Sequence, residues 1–329
     1  MAHGDPRGLR GRSPVAHGGA RGCPGRTPAA AGEAAAARMG AVDFLQRCAR
    51  TAGLRLDDPG IAVDTRGLQN LVLIDRDRGV VWRFPRTAGG CLMLQDAARR
   101  LILLAGHGLP VPLVLDCRPA SGPGDGYLML SYRPGAALDA VDTDALGPPE
   151  RRRLIDTLIE VVQHVHGIPV EHWPTPRPAW AGIWQALAAD VANCRGLPDP
   201  LAEHQLALAQ HAALVAAQAP IGIFHGDLGG VNCRIDPSTG QVLGLLDWDS
   251  ASVGDTATDI AAILAGLGRV TAEEMRARSE RWRAEEERYR AYVDTWPIQY
   301  HLWALRSGDP LDRRASLDLL SAPAAAGPR

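Results

Sequence analysis

One run of residues restricts this chain more than any other: Ile223-Phe224-His225-Gly226-Asp227-Leu228-Gly229-Gly230-Val231-Asn232-Cys233-Arg234-Ile235. It reads as a loop carrying His225, Asp227 and Asn232, followed by two apolar strands around the turn Asp236-Pro237-Ser238-Thr239-Gly240, with Asp247 at the exit of the second strand. Gly226, Gly229 and Gly230 permit backbone turns that a side chain would forbid and leave room beside Asp227. Taken singly, an Asp before a Gly is an ordinary turn residue, and so is the D-x-D of Asp247-Trp248-Asp249. The weight lies in loop, hairpin and second carboxylate occurring together and in this order.

The spacing from Asp227 to Asn232 matches the catalytic loop of protein kinases, and Asp247-Trp248-Asp249 stands where their D-F-G would. Phosphoryl transfer asks for that set. One carboxylate orients the attacking hydroxyl, while an amide oxygen and a second carboxylate hold magnesium on the nucleotide phosphates. Asp227 takes the first role and Asn232 and Asp247 the metal roles; His225 belongs to the catalytic group as a brace rather than a base. The segment resembles the aminoglycoside phosphotransferase family, whose loop reads His-Gly-Asp, four residues, Asn. The likeness continues through Gly254-Asp255-Thr256-Ala257-Thr258-Asp259-Ile260-Ala261, similar to the family's Gly-Asp-Pro-x-x-Asp-Leu-Ala, with Thr256 in place of Pro. By that resemblance Asp259 sits at a helix start and braces the loop. The Leu-Gly-Gly form of the loop is similar to that of viomycin-type phosphotransferases.

A chain of 329 residues is long enough for two lobes with a cleft between them. A net charge of −2 argues against a general nucleic-acid binder. Every basic position is Arg, so a phosphate-contacting lysine cannot exist here. Cys23, Cys48, Cys91, Cys117, Cys194 and Cys233 form no C-x-x-C pair, which points away from a zinc ribbon or disulfide framework and toward a reducing cytoplasm. No apolar run is long enough to span a bilayer, and no membrane partner is expected.

Residues 1–38 are rich in Gly, Pro, Arg and Ala and are expected to be a disordered tail, with Met39 an alternative start. An amphipathic helix is expected from Val42 to Leu56. A hairpin follows, with Gly67 to Ile74 and Val80 to Arg86 flanking a charged Gly turn. Arg83 fills the place of the kinase phosphate-binding lysine and can grip phosphate through two parallel bonds. Gly67 and Asn70 resemble a weak nucleotide loop. The helix expected over Gly90 to Ala105 has no Glu to steady that cation, and Asp96 is its only acid. The strand at Tyr127 to Leu130 leads to Ser131 and Arg133, which the resemblance places at the adenine-contacting hinge.

Beyond the hinge the pattern turns helical. Pro149 to His166 carries a broad apolar face, and its closing His164-Val165-His166 is expected to be structural rather than metal-binding. Trp173, Trp180 and Trp184 are expected in the core, and Thr271 to Arg290 is expected to present a solvated, ion-paired helical face.

The expectation is therefore an α+β, two-lobed, protein-kinase-like fold: a small antiparallel β lobe over 39–131, a larger mainly helical lobe over 132–320, and a flexible tail over 321–329. The resemblance implies a cytoplasmic, monomeric or weakly dimeric enzyme. It would use Mg2+ and move the γ-phosphoryl of ATP or GTP to a small hydroxyl-bearing acceptor. An aminoglycoside, macrolide or viomycin-type peptide leads among acceptors, with choline-, homoserine- or fructosamine-type metabolic kinases as the alternative. A non-catalytic nucleotide binder, and a glycosyltransferase using Asp247 and Asp249, are the readings from other classes.

Overall fold

The computed structural model describes residues 40–65, 70–119, 122–174, 180–307 and 310–321. The expected tail over 1–38, Met39, Gly67 and residues 322–329 lie outside them. The chain divides into two compact units, one running to Pro134 and taking in Leu243–Leu246, the other built from Gly135 to Val242 and from Asp247 onward.

The first unit holds α1 (Ala41–Ala52), β1 (Ile61–Asp64), β2 (Asn70–Asp75), β3 (Val80–Pro85), α2 (Ala88–Gly106), β4 (Val114–Arg118) and β5 (Tyr127–Ser131). Its strands form one antiparallel sheet in the order β1-β2-β3-β5-β4. Period-two alternation decides which face is covered. Leu71 and Leu73 of β2 and Trp82 and Phe84 of β3 are buried with Phe44 and Cys48 of α1, while Arg83 lies on the opposite, half-buried face. The β2–β3 turn closes through Gly79 at φ 67°, with the Asp75 carboxylate accepting the Arg78 N–H at 2.9 Å. Thr87 caps α2 by accepting the Gly90 N–H at 3.1 Å. The edge strand β1 was not anticipated; four residues with no fully buried side chain leave almost no periodic signal.

The second unit is mainly helical: α3 (Pro148–His166), α4 (Trp180–Ala192), α5 (Asp199–Gln218), α6 (Ala257–Gly266), α7 (Arg269–Arg278), α8 (Glu280–Asp294), α9 (Trp296–Ser307) and α10 (Pro310–Ser321). Between them in the chain run β6 (Ala136–Ala137), β7 (Ile221–Phe224), β8 (Cys233–Asp236) and β10 (Ser252–Asp255), with β9 (Gln241–Leu245) starting here and ending in the Leu243–Leu246 stretch of the first unit; the strand orders are β6-β8-β9 and β10-β7. Trp180, Trp184, Phe224 and Tyr292 form one aromatic core, with Trp184 stacked on Tyr292 at 4.5 Å. Trp173 is buried too, so all three tryptophans are core. Gly254 of β10 is required by this packing, because a Cβ there would lie 2.3 Å from the Trp180 ring. The segment after Thr271 is two helices rather than one, split at Ser279, whose hydroxyl accepts the Trp282 N–H at 3.3 Å.

Candidate active site

The loop begins where β7 ends. Phe224 pairs with Ser252 of β10, and the next residue, His225, is fully buried with its ring 4.3 Å from that of Trp248. Its Nδ1 accepts the backbone N–H of Asp227 at 3.2 Å, so the imidazole fixes the backbone on which Asp227 is mounted. Gly226 follows at φ 81°, and a Cβ there would come within 2.7 Å of the Ser250 carbonyl; both facts demand glycine.

Asp259, in the first turn of α6, receives the start of the loop. Its Oδ2 accepts the His225 N–H at 2.8 Å and its Oδ1 the Gly226 N–H at 2.9 Å. A third donor is the Nε2–H of His166, at the end of α3, 3.1 Å from Oδ2. Complete burial works to raise this carboxyl, but the hydrogen bond from His166, together with the backbone N–H of His225, outweighs it and holds Asp259 below the ordinary aspartate value of 3.8. The buried anion is thereby satisfied by three donors, which is the condition for tolerating it.

Asp227 itself is half-buried. Asn232 closes the turn from the far side, its Nδ2 donating to the Asp227 carbonyl at 2.9 Å and to the Asp227 carboxylate at 3.2 Å. Between them, Gly229 and Gly230 behave differently from each other. A Cβ on Gly230 would lie 2.4 Å from the Asp139 Cβ, and one on Gly266, the last residue of α6, would lie 3.3 Å from the Gly230 Cα. Gly230 is therefore a packing glycine and does not open room for a substrate. Gly229 has an ordinary backbone at φ −75°, ψ 173°, with nothing within 4 Å of an added Cβ.

Asp247 is exposed at the end of β9 and is the only non-glycine with positive φ among the described residues, at φ 59°, ψ 65°. Holding a non-glycine there costs about 1 kcal/mol, least for Asp and Asn. The next residue, Trp248, is buried and carries the ring contact to His225, so Asp247 is tied to the Asp227 loop through its neighbour.

The donor set suits a hard divalent cation. With both Asn232 amide bonds made through Nδ2, its oxygen is of the kind a metal takes, and the exposed Asp247 carboxylate offers oxygen donors of the same kind. Among the described residues no group of three His, Cys, Asp or Glu stands at metal-holding distance. A magnesium ion shared with nucleotide phosphates needs no such cage, since phosphates and water supply its remaining ligands.

In the sheet-bearing unit the anticipated residues have local partners. Arg83 sits mid-strand on β3, opposite Val72 and Leu128. Asp96 pairs with Arg99 one turn along its own helix, so its observed partner is not Arg83. The Ser131 hydroxyl accepts the Leu113 N–H at 2.8 Å, and its own N–H donates to the Leu113 carbonyl at 2.9 Å. Arg133 donates from Nε to the Val111 carbonyl at 2.9 Å, with its guanidinium half-buried; burial lowers its pKa from the ordinary arginine value. Side chains at both positions thus shape the chain leaving β5.

Three participants escaped the sequence reading. His166 was read as a structural histidine on a helix, yet its imidazole is 1% exposed and bonded to Asp259. Arg281 and Arg288 were read as part of a solvated face. Instead Arg288 binds Asp255 at 2.8 Å beside the Tyr292 hydroxyl at 2.9 Å, and Arg281 reaches His166 and Thr256. Glu285, between them, is buried. The i, i+4 spacing of Arg281 and Glu285 was visible; the direction in which the pair points was not.

Residues 62–292 match the family described as "Phosphotransferase enzyme family". Viomycin phosphotransferase of Streptomyces vinaceus is 32% identical over 240 residues, covering 69% of this chain and 81% of that protein. Aminoglycoside 3'-phosphotransferase of Streptomyces fradiae is 30% identical over 176 residues, covering 51% of this chain and 62% of that protein. The matched segment spans 15% of another relative, mouse acyl-CoA dehydrogenase family member 10, at 25% identity over 48% of this chain. Among solved structures, the GDP complex of wild-type aminoglycoside 2'-phosphotransferase-IIIa superposes with a TM-score of 0.72 at 18% identity, covering 86% of this chain and 97% of that one. That likeness gives the fold: kinase-like, with an antiparallel sheet in one unit and a mainly helical second unit.

Proposed function

We propose, since the chain belongs to the phosphotransferase enzyme family, that it transfers the γ-phosphoryl group of ATP or GTP to a hydroxyl of a small molecule, with Asp227 addressing that hydroxyl. The observation that carries this is the mounting of Asp227. Its backbone N–H is fixed by His225, its carboxylate by Asn232, and its loop by a buried Asp259. A carboxylate so held can align an acceptor hydroxyl and take its proton late, as a loose transition state requires.

Asn232 and Asp247 would hold Mg2+, which when bound would neutralise charge on the phosphate oxygens. Arg83 is the proposed phosphate contact, able to make two parallel bonds where a lysine would make point contacts. Arg133 and Ser131 are proposed to shape the stretch that meets the base. Asp96, turned to Arg99, is a weak candidate for the steadying acid of Arg83.

For the acceptor, an antibiotic hydroxyl is the reading best supported, with a viomycin-type peptide first. The Leu228-Gly229-Gly230 form and the viomycin phosphotransferase relative both favour it. The test is nucleoside diphosphate release with ATP and with GTP against a panel of aminoglycosides, macrolides, viomycin-type peptides, choline and homoserine. Turnover with one antibiotic class is expected. Turnover confined to choline or homoserine would replace the antibiotic reading, and none with any alcohol would remove the activity.

A further inference from the structure

We propose that Arg281 is a positioning residue: it holds His166 as a neutral imidazole protonated only on Nε2, so that Asp259 keeps its whole negative charge for the backbone of the Asp227 loop. Arg281 Nη2 donates to His166 Nδ1 at 3.2 Å, and the opposite ring nitrogen lies 3.1 Å from Asp259 Oδ2. A guanidinium has donors only, so the nitrogen it faces must be the ring's acceptor. The single ring proton is then on Nε2, pointing at Asp259. A second proton on Nδ1 would place N–H against N–H and cation against cation.

Among the described residues, the charged groups that reach the His166 ring come from two helices. Asp259 faces it from α6 and Arg281 from α8; Glu285 lies behind the guanidinium at 3.0 Å, and His225 stands across Asp259 at the end of β7. Glu285 anchors Arg281 through its Nε. The same Nη2 also donates to Thr256 Oγ1 at 3.1 Å. Thr256 stands where the resembling family's pattern has a proline. A proline offers no hydroxyl, so the threonine supplies Arg281 with an acceptor in addition to His166 and Glu285. Without Arg281, a buried imidazole beside a buried carboxylate would take a second proton on acidification. The resulting pair would draw Asp259 away from the His225 and Gly226 N–H groups.

The inference uses the proposed transferase activity for one readout only; the other is independent of it. Histidine side chains would be labelled with nitrogen-15 in the full chain and titrated between about pH 8 and about pH 5, the range in which an imidazole ordinarily changes charge. In the native protein the His166 ring proton is expected on Nε2, with Nδ1 bare opposite Arg281. In Arg281→Leu the ring is expected to become doubly protonated within that range. The acceptor-dependent kcat of the variant would fall roughly fivefold at the acid end and change less than twofold at the alkaline end, with nucleotide KM unchanged, the scale of one weakened hydrogen bond. Arg281→Lys is expected to restore the native titration, and His166→Asn, which cannot take a proton, to remove the acid-side loss when combined with Arg281→Leu. A native His166 that is already doubly protonated, or an Arg281→Leu protein whose His166 never titrates, would overturn the proposal. If no alcohol is phosphorylated, the titration still decides it, so this inference and the proposed function fail separately.

Discussion

The start of the loop that carries Asp227 is anchored in the helical unit by residues distant in sequence, whereas the candidate nucleotide residues of the sheet unit are secured closer to home. Asp259 reaches back 34 residues to His225, and His166 forward 93 to Asp259. Asp96, by contrast, meets Arg99 three residues on, and the partners of Ser131 and Arg133 lie 18 and 22 residues away on the chain entering the same sheet. The difference separates two ways of holding a functional group. A buried anion gathering three donors from two elements cannot yield without losing all of them together. An exposed pair on one helix turn yields at little cost.

That contrast can be tested in order of expected effect. Asp227→Asn keeps the shape and removes the base, and is expected to lower kcat by about a thousandfold with nucleotide affinity intact. Acceptor-dependent diphosphate release together with nucleotide binding reads both; an unimpaired enzyme would take Asp227 out of the chemistry. Asp259→Asn should destabilise the fold by about 3 to 5 kcal/mol, as breaking a buried charged cluster does, seen as a lower denaturation midpoint. Its acid limb should change as well. Because the folded Asp259 carboxyl sits below 3.8, its contribution is present above that value and is lost as pH falls through the lower folded value. The Asp259→Asn protein should therefore lose less stability than the native chain on acidification below 3.8.

On the sheet side the effects shrink. Arg83→Ala is expected to raise nucleotide KM by about tenfold with a smaller change in kcat, and Arg83→Lys to recover part of it. Equal nucleotide affinity in native and Arg83→Ala proteins would remove Arg83 as the phosphate contact. Asp96→Ala should move stability by no more than about 0.5 kcal/mol and leave nucleotide KM within about twofold. A tenfold rise there would show that Asp96 steadies Arg83 after all and would erase the contrast between the units.

The same contrast explains what could be read from the residues alone. The loop was legible because several elements converge on it, each leaving a mark at fixed spacing: His225, Asp227 and Asn232 in one run, Asp247 after one hairpin, Asp259 after one more strand. The sheet was legible from alternation, as in β2 and β3, and illegible at β1, where four partly covered residues alternate with nothing. Ser131 and Arg133 act on backbone groups, which every residue possesses, so only chain order pointed to them. His166 and Arg281 were missed for another reason. Whether a charged residue on an amphipathic helix faces water or a buried carboxylate depends on what packs against it, and Arg276, Arg278, Arg281 and Arg288 look alike in the sequence.

Helix α6 touches the Asp227 loop twice: Asp259 takes its first two N–H groups, and Gly266 rests against Gly230 near its end. Seven residues separate those two anchor points, almost two full turns, so both look out from one side of the helix about 10 Å apart. The helix is in effect a gauge block against which the loop is cut to length. Adding or deleting a single residue between Ile260 and Ala265 would swing one anchor about 100° away while the other stayed seated. Length there does as much to set the Asp227 loop as any side chain.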